Sequence, residues 1–184
     1  MKVALKKFIA VFVACFLVNF SACHTFAFQG MKLYRNREYH FSIEIPEYLQ
    51  YATPRGPNIK MVAAIKDFSM NIIVKPEPSV EYSTDEILSE IYSEQMQYME
   101  RNFNAKILEA GIISIPQTRV LYCGYRARYD YPRETFFLTG YCFQFIRHRQ
   151  AFCITYLVEP GKENLYKEAI IDSISSFVDE TDFY

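Results

Sequence analysis

The chain has 184 residues, of which 51% are apolar and only 22% are charged, a composition that argues against disorder along its whole length. Its net charge is −1, and residues 1–27 hold three lysines and no acid, so residues 28–184 carry 17 basic and 21 acidic side chains, a net charge of −4. This balance argues against general nucleic-acid binding, which needs excess positive charge to neutralise phosphates. It also argues against a basic protein held on a membrane surface.

Residues 1–27 have the pattern of a secretory signal peptide. Lys2, Lys6 and Lys7 form a positive start, and residues 8–20 form an apolar segment of 13 residues. A permanent membrane span needs about 20 residues, so this segment is too short to be one. We therefore expect an exported protein, periplasmic or secreted, in which residues 28–184 form a single domain.

Two ways of processing this segment stay open. Thr25 and Ala27 are small residues that fit cleavage after Ala27 and release of the chain. Ser-Ala-Cys at Cys23 fits a bacterial lipobox, although Phe20 stands where leucine is usual. Processing at Cys23 would attach acyl chains there and hold the protein on the outer membrane, and such an anchor is the only membrane attachment that we expect.

Strands are predicted in the first part of the exported chain. Residues 39–45 alternate between apolar and polar side chains and are followed by Pro46. A period of two predicts a strand with one buried face. Two short apolar runs, residues 61–65 and 70–74, flank a polar stretch and predict a β-hairpin.

A helix is predicted from Ser83 to about Asn102. The sequence Ser-Thr-Asp-Glu has the spacing of a capping box, in which Ser83 caps the first turn and Glu86 follows three residues later. Apolar side chains then recur at helical spacing and predict one buried stripe. The residues of this stripe are Ile87, Leu88, Ile91, Tyr92, Met96, Met99 and Phe103.

Four further strands are predicted over residues 105–115, 119–129, 135–147 and 150–158. The last two form a hairpin whose turn holds Arg147-His148-Arg149. Five side chains of this hairpin share one face, and we expect that face to be buried. They are Phe143, Phe145, Phe152, Ile154 and Tyr156.

A second helix is predicted at the end of the chain, and acidic residues follow it. The spacing of Leu165, Ala169, Ile170, Ile174 and Phe177 predicts the buried face of this helix. Asp179, Glu180 and Asp182 predict a solvated tail. Strands in runs, with one helix between them and one at the end, indicate the α+β class, an antiparallel β-sheet flanked by helices.

The two ends of this pattern resemble PsbP-like domains. Tyr34-Arg35-Asn36 followed by the aromatic-rich strand that ends in Pro46 resembles the opening of that family, and residues 171–177 resemble its terminal helix. The resemblance covers roughly residues 32–178. It implies an α/β/α sandwich built around an antiparallel sheet.

The family includes thylakoid-lumen proteins that support photosystem II, a yeast Ran-binding protein and many exported bacterial proteins. Its known members mostly act by binding, so the resemblance implies a binding or accessory function without a cofactor. No member's metal or partner residues match positions of this sequence, and none is carried over.

Three cysteines, Cys123, Cys142 and Cys153, remain after the signal segment. An exported protein can oxidise them, and an odd number permits at most one internal pair. Cys142 and Cys153 fall on consecutive predicted strands with side chains on the same face, which makes them the expected pair if their Cα atoms lie within roughly 7 Å. The alternative is that all three are small buried side chains.

No catalytic constellation is apparent among the three histidines, His24, His40 and His148. None has a metal-ligating partner at close spacing. Cys153 or Cys123 could meet His148 only across a hairpin turn, and no Gly-x-Ser-x-Gly elbow or glycine-rich phosphate loop occurs. We therefore expect no enzyme activity and no cofactor.

The remaining candidate site is basic. Arg147, His148 and Arg149 of the hairpin turn, together with Arg126 and Arg128 of the preceding strand and Arg133 after it, could form a contact patch for an anionic partner. The alternative is a solvated turn that protects a sheet edge. Exposed edge strands and tyrosine-rich faces are further expected contact surfaces.

These observations predict a non-catalytic exported binding or accessory protein of the bacterial cell envelope, whose partner is an unidentified protein or small ligand. Two alternatives stay open. One is a small extracytoplasmic enzyme whose site is assembled from distant residues, and it would need a pocket with His40 or His148 beside acids and a cysteine. The other is a protein that responds to redox conditions through Cys142 and Cys153.

Overall fold

The computed structural model describes residues 30–131 and 134–181. The predicted signal segment with Cys23 and His24 therefore lies outside the described residues, as do Arg133 and Asp182. The elements of the described residues are β1 (Met31–Asn36), β2 (Phe41–Pro46), β3 (Gln50–Ala52), β4 (Ile59–Ala64), β5 (Phe68–Pro76), α1 (Asp85–Phe103), β6 (Lys106–Ile115), β7 (Thr118–Tyr131), β8 (Glu134–Arg147), β9 (Gln150–Val158), α2 (Glu163–Ser175) and β10 (Val178–Asp179). Neither helix in these ranges is both long and apolar enough to cross a membrane.

The strands form two antiparallel sheets. In the described part of the chain, the large sheet has seven strands in the order β3-β4-β5-β9-β8-β7-β6, and the small one has the order β1-β2-β10. Helix α1 packs on β7 and β6, whereas α2 packs on β2 and β9. The predicted α+β class, an antiparallel sheet flanked by helices, is confirmed.

The larger core lies between the two sheets and α2. Strand β2 faces it with Phe41, Ile43 and Ile45, all fully buried, because alternate side chains of a strand point to the same face. The predicted buried face of the β8–β9 hairpin also belongs to this core. Phe177 closes it by packing edge-on against Phe152, 5.3 Å between ring centroids.

The second core lies on the opposite face of the large sheet, under α1. Met96 and Met99 of α1 pack there against alternate residues of β7, among them Cys123 and Tyr125. The buried stripe predicted for α1 is therefore confirmed at these two methionines and at Leu88. Because β8 and β9 contribute side chains to both faces, the two cores share these strands.

Three predictions about side chains are wrong. Thr84 caps α1 in place of Ser83, since its Oγ1 accepts from the Ile87 N–H at 3.4 Å. In the first turn of α2, Tyr166 is buried instead of Leu165, which is 47% exposed; Ala169, Ile170 and Ile174 are buried as predicted. Asp179 and Glu180 do not belong to a solvated tail, because Asp179 lies in β10, which pairs with β2, and Glu180 is also buried.

The prediction of a solvated tail was wrong because Asp179 and Glu180 form ion pairs with arginines. Asp179 meets Arg147, and Glu180 accepts a hydrogen bond from Arg35 Nε at 2.9 Å. Both carboxylates are therefore buried against arginines from strands far away in sequence. A run of acids at a chain end looks solvated only while those partners are unknown.

Candidate functional site

On the face of the large sheet that points away from α1, strands β6, β7 and β8 carry exposed side chains. Strand β7 alternates between Cys123, Tyr125 and Ala127, buried beneath α1, and Arg126 and Arg128, exposed on the other side. Strands β6 and β8 add exposed side chains to that same side, as their pairing register with β7 requires. We call this surface the open face; it consists of the exposed Glu109, Gly111, Ile113, Arg126, Arg128 and Phe137 and the half-buried Tyr122 and Tyr141.

Strand β6 forms the free border of the open face. In the described residues it pairs with β7 on one side only, so the backbone of ten residues can accept a further strand on the other side. Its side chains include Leu108, 48% exposed, and Ile113, 37% exposed. The opposite edge, β3, is only three residues long. Edge strands this long and apolar are typical sites of strand addition.

Hydrogen bonds fix the polar side chains around the open face. Tyr122 donates to Glu109, and this bond together with burial raises the pKa of Tyr122 above its ordinary value. Arg126 pairs with Glu163 of α2 at 3.1 Å, and Thr139 donates to the same carboxylate at 2.7 Å. The side chains of this face are therefore held in place before any partner arrives.

The predicted basic patch falls into two separate places. Arg126 lies opposite Thr139 of β8, and Arg147 lies eight residues further along that strand. At 3.3 Å per residue the two arginines are about 26 Å apart along the sheet. Arg126 and Arg128 belong to the open face, while Arg147, His148 and Arg149 lie at the other end. Whether either group contacts a partner stays a prediction.

At that other end, Arg147 is a buried side chain. Its Nε donates to Asp179 Oδ2 at 2.8 Å, and its guanidinium also donates to the Gln117 carbonyl oxygen. Burial alone would raise the pKa of Asp179, but hydrogen bonds from Thr181 and Arg147 hold it below its ordinary value. Asp179 had no sequence signal as a partner of Arg147, because 31 residues separate them.

His148 joins this cluster from the tight turn of the hairpin. His148 and Arg149 both adopt positive φ, 46° and 59°, as a two-residue turn between twisted strands requires. The His148 Nδ1 lies 3.2 Å from the Tyr82 hydroxyl, and its Nε2 lies 3.5 Å from Asp179 Oδ2. The cluster thus ties the segment before α1, the hairpin turn and β10 together, and only Arg149 remains an exposed side chain.

The three cysteines of the described chain meet beneath α1. Cys142 lies opposite Cys123 of β7, and its Sγ is 3.6 Å from the Cys153 Sγ. All three are free thiols in this structure. The predicted shared face of Cys142 and Cys153 is therefore found, while the predicted disulfide between them stays a prediction.

Both histidines of the described ranges lie in turns, His148 in that of the β8–β9 hairpin. His40 occupies a turn with φ 49° just before β2. Between residues 30 and 181, with 132 and 133 left aside, no group of three or more His, Cys, Asp or Glu side chains is placed to hold a metal ion.

Sequence reasoning missed two members of the open face. Phe137 is 51% exposed and Ile113 is 37% exposed, although both have the residue type of a core. The strand pattern around each alternates correctly, but it does not say which face a helix covers. Their exposure follows from the positions of α1 and α2, which local periodicity does not contain.

No family model matches this sequence, and no curated protein matches it. Known structures do share its fold. The solution structure of cyanobacterial PsbP (CyanoP) from Synechocystis sp. PCC 6803 is 12% identical, with a TM-score of 0.63 over 86% of this chain and 98% of that one. The chain therefore has the PsbP-like fold that its resemblance predicted.

Two other structures support the same fold. The Ran-binding protein Mog1p of Saccharomyces cerevisiae is 10% identical, with a TM-score of 0.57 over 84% of this chain and 97% of that one. A crystal structure from Bacteroides thetaiotaomicron is 13% identical, with a TM-score of 0.57 over 83% of this chain and 50% of that one. At such identities the likeness establishes the fold, and function has to be argued from the site.

Proposed function

We propose that this chain is a non-catalytic binding or accessory protein of the bacterial cell envelope, exported by residues 1–27, and that it binds a protein partner at the open face. The observation that carries the proposal is the long, apolar, unpaired edge β6 beside an exposed sheet face. A fold shared with a Ran-binding protein is consistent with a binding function.

The expected occupant is an extended segment of the partner. A strand added to β6 would gain main-chain hydrogen bonds along the edge, and its side chains would contact Ile113 and also Leu108, which lies at a bulge in β6. Among the charged side chains that the structure describes on that side of β6 and β7, Lys106, Arg126 and Arg128 outnumber Glu109, and Arg126 is already paired with Glu163. We therefore expect acidic side chains in the bound segment, since opposite charges favour association and set orientation.

Site-specific photocrosslinking in the native host tests this surface. A benzoylphenylalanine at residue 113 or 137 should give an adduct of one discrete mass. The matched control is residue 171, an isoleucine 49% exposed on α2, away from the open face. The double variant Leu108→Lys, Ile113→Lys should abolish the adduct formed through residue 137 and leave thermal unfolding almost unchanged, because both side chains are largely exposed.

A position-independent result would contradict the proposal. Equal adducts at residues 113, 137 and 171, or an adduct that survives the two lysine substitutions, would show that β6 is not the contact edge. Once the crosslinked partner is sequenced, a synthetic peptide of its attached segment should bind the purified chain. The affinity should fall as salt rises, because the expected charge contacts are exposed.

The export part of the proposal has its own test. Mass spectrometry of the protein purified from the envelope should show either a start at residue 28 or a lipid-modified Cys23 as the first residue. A chain that keeps Met1 and stays in the cytosol would contradict export. A start at residue 28 would indicate release of the chain, and a lipid-modified Cys23 would indicate an anchor on the outer membrane.

A further inference from the structure

The thiols of Cys142 and Cys153 lie on the sheet face opposite the open face, so their chemistry is independent of the proposed partner site. They are diagonal neighbours across β8 and β9, since Cys142 pairs with Thr155 and Gln144 pairs with Cys153. Their sulfur atoms are 3.6 Å apart. A disulfide needs about 2.05 Å, so closing the bond requires a movement of roughly 1.5 Å between strands that are already joined.

Hydrogen-bond donors converge on the Cys142 sulfur from three elements. The side-chain amide of Gln144 lies 3.3 Å from it, that of Gln95 in α1 lies 3.5 Å away, and the Thr155 hydroxyl lies 3.7 Å away. Cys153 completes the set as a thiol neighbour. Hydrogen bonds favour the thiolate over the thiol, and that of the Cys153 thiol, followed by those of the amide and hydroxyl donors, holds the pKa of Cys142 below its ordinary value although the side chain is buried.

Cys123 has a different environment despite facing Cys142 across the β7–β8 ladder. Its thiol contacts the Met96 sulfur at 3.8 Å, and burial raises its pKa to about 12. It is only 2% exposed. Cys123 is therefore a protonated, packed thiol, whereas Cys153 is half-buried and gives the reactive pair its access to solvent.

We propose that Cys142 and Cys153 form an oxidation site for small peroxides, in which Cys142 is the nucleophile and Cys153 closes the disulfide. The Cys142 thiolate attacks one peroxide oxygen, the O–O bond breaks, and the leaving oxygen takes a proton to give water or an alcohol. Cys142 becomes a sulfenic acid. The Cys153 sulfur then attacks the Cys142 sulfur, the S–O bond breaks, and water leaves. Two thiols are oxidised and one peroxide is reduced.

The burial of the Cys142 sulfur favours small peroxides as its oxidants. Cys142 is 3% exposed and its sulfur lies 3.5 Å from the Gln95 side-chain amide of α1, so we expect only a small oxidant to reach it, and hydrogen peroxide is close to water in size. Disulfide formation also removes the thiolate to which Gln95 donates. We therefore expect the contact between α1 and β8 to loosen when the pair is oxidised.

The test uses the reduced full chain, hydrogen peroxide and alkylation followed by peptide mass spectrometry. The expected product is a disulfide between the peptides of Cys142 and Cys153, with Cys123 still alkylated. Cys123→Ser should form the same disulfide at an unchanged rate. Cys153→Ser should stop at a sulfenic acid on Cys142, which dimedone traps when it is added together with denaturant after the peroxide, and Cys142→Ser should form no disulfide.

A fourth variant tests the role of the donors. Gln144→Leu removes one donor while keeping the size of the side chain, and a rise of one unit in the Cys142 pKa from about 7 would cut the thiolate fraction, and with it the rate, about fivefold at pH 7. Circular dichroism of each variant establishes that it is folded. Three free thiols after peroxide treatment of the wild type, a disulfide that contains Cys123, or an unchanged rate in Gln144→Leu would overturn the assignment.

Discussion

At the scale of single residues, burial decides how much the loss of a charge pair destabilises this protein. Arg147 and Asp179 form a pair whose side chains are 10% and 3% exposed, while Arg119 and Asp85 form one that is 49% and 54% exposed. The buried pair is the one that hydrogen bonds complete, through the Gln117 carbonyl and the Thr181 N–H. Removing one partner leaves a buried charge without compensation.

We expect Asp179→Asn to lower the free energy of unfolding by about 3–5 kcal/mol at neutral pH, because Arg147 would keep its buried charge. Urea denaturation measures the change. The matched control, Asp85→Asn, breaks an exposed pair and should cost less than about 1 kcal/mol. Equal losses in the two variants would contradict the burial that is assigned to Arg147.

The pH dependence of the same pair has a definite sign. The pKa of Asp179 is lowered from 3.8, so its contribution to stability is present above that value and is lost as the pH falls towards the folded-state pKa. The difference in stability between wild type and Asp179→Asn should therefore shrink once the pH falls below 3.8. A difference that grows with acid would mean that the carboxyl is neutral in the folded state.

Two strand glycines, Gly140 and Gly111, differ in the space that surrounds them. A Cβ at Gly140 would lie 2.6 Å from Tyr125 Cε2, because the buried tyrosine ring covers that glycine. Gly111 on the β6 edge has no atom within 4 Å of the same position. Both are strand glycines, and sequence alone does not distinguish them.

We expect Gly140→Ala to destabilise the protein by about 1–3 kcal/mol, since the added methyl group has to displace the Tyr125 ring. Gly111→Ala should be neutral or stabilise it by up to about 1 kcal/mol, because alanine restricts the unfolded chain without a clash. Thermal unfolding of the pair measures both effects. Similar midpoints for the two variants would show that Tyr125 does not cover Gly140.

At the scale of elements, the segment before α1 has two hydroxyl side chains with different tasks. Thr84 caps the helix, while Ser83 bridges to β8, where its Oγ accepts from the Ile146 N–H at 2.6 Å. The capping-box spacing was a correct indication that a helix begins here. The spacing predicted the wrong capping residue because the Ser83 side chain hydrogen-bonds Ile146 of β8, which is 63 residues away in sequence.

Hydrogen exchange separates these two tasks. Thr84→Ala should remove protection from the Ile87 amide and cost about 1 kcal/mol, the usual effect of losing a cap. Ser83→Ala should instead remove protection from the Ile146 amide. Each variant is the control for the other. Loss of protection at Ile87 in Ser83→Ala would return the cap to Ser83.

At the scale of the whole molecule, the large sheet links two cores. Strand β9 sends Ile154 and Tyr156 to one core and Leu157 to the other, so neither core can form without this strand. We therefore expect the described residues to unfold as one cooperative unit, and the single domain over residues 28–184 stays a prediction. Independent units would need a boundary that few contacts cross.

Core substitutions on the two faces test this unity. Ile154→Ala and Leu138→Ala remove buried side chains from opposite cores, and each should lower the stability by about 2–5 kcal/mol. Far-ultraviolet and near-ultraviolet circular dichroism should report one coincident thermal transition in both variants. Two transitions, or a change limited to one probe, would show that the cores unfold separately.

The sequence by itself determined the two helices, most of the strands and the fold class, while β1, β3 and β10 were not predicted. Alternation predicted β2 and the β8–β9 hairpin, and helical spacing predicted the stripe of α1. These patterns are readable because a strand repeats every two residues and a helix every 3.6, so side chains that share a face are close in sequence. The resemblance to PsbP-like domains supplied the arrangement of these elements.

Only the tertiary structure decided which residues form sites. It separated Arg126 from Arg147, buried Asp179, left Phe137 exposed and placed amide donors around Cys142. Each of these outcomes depends on contacts between distant segments, or on which half of a sheet a helix covers. Local periodicity says which side chains share a face, but the burial and the charge of that face are set by what packs against it.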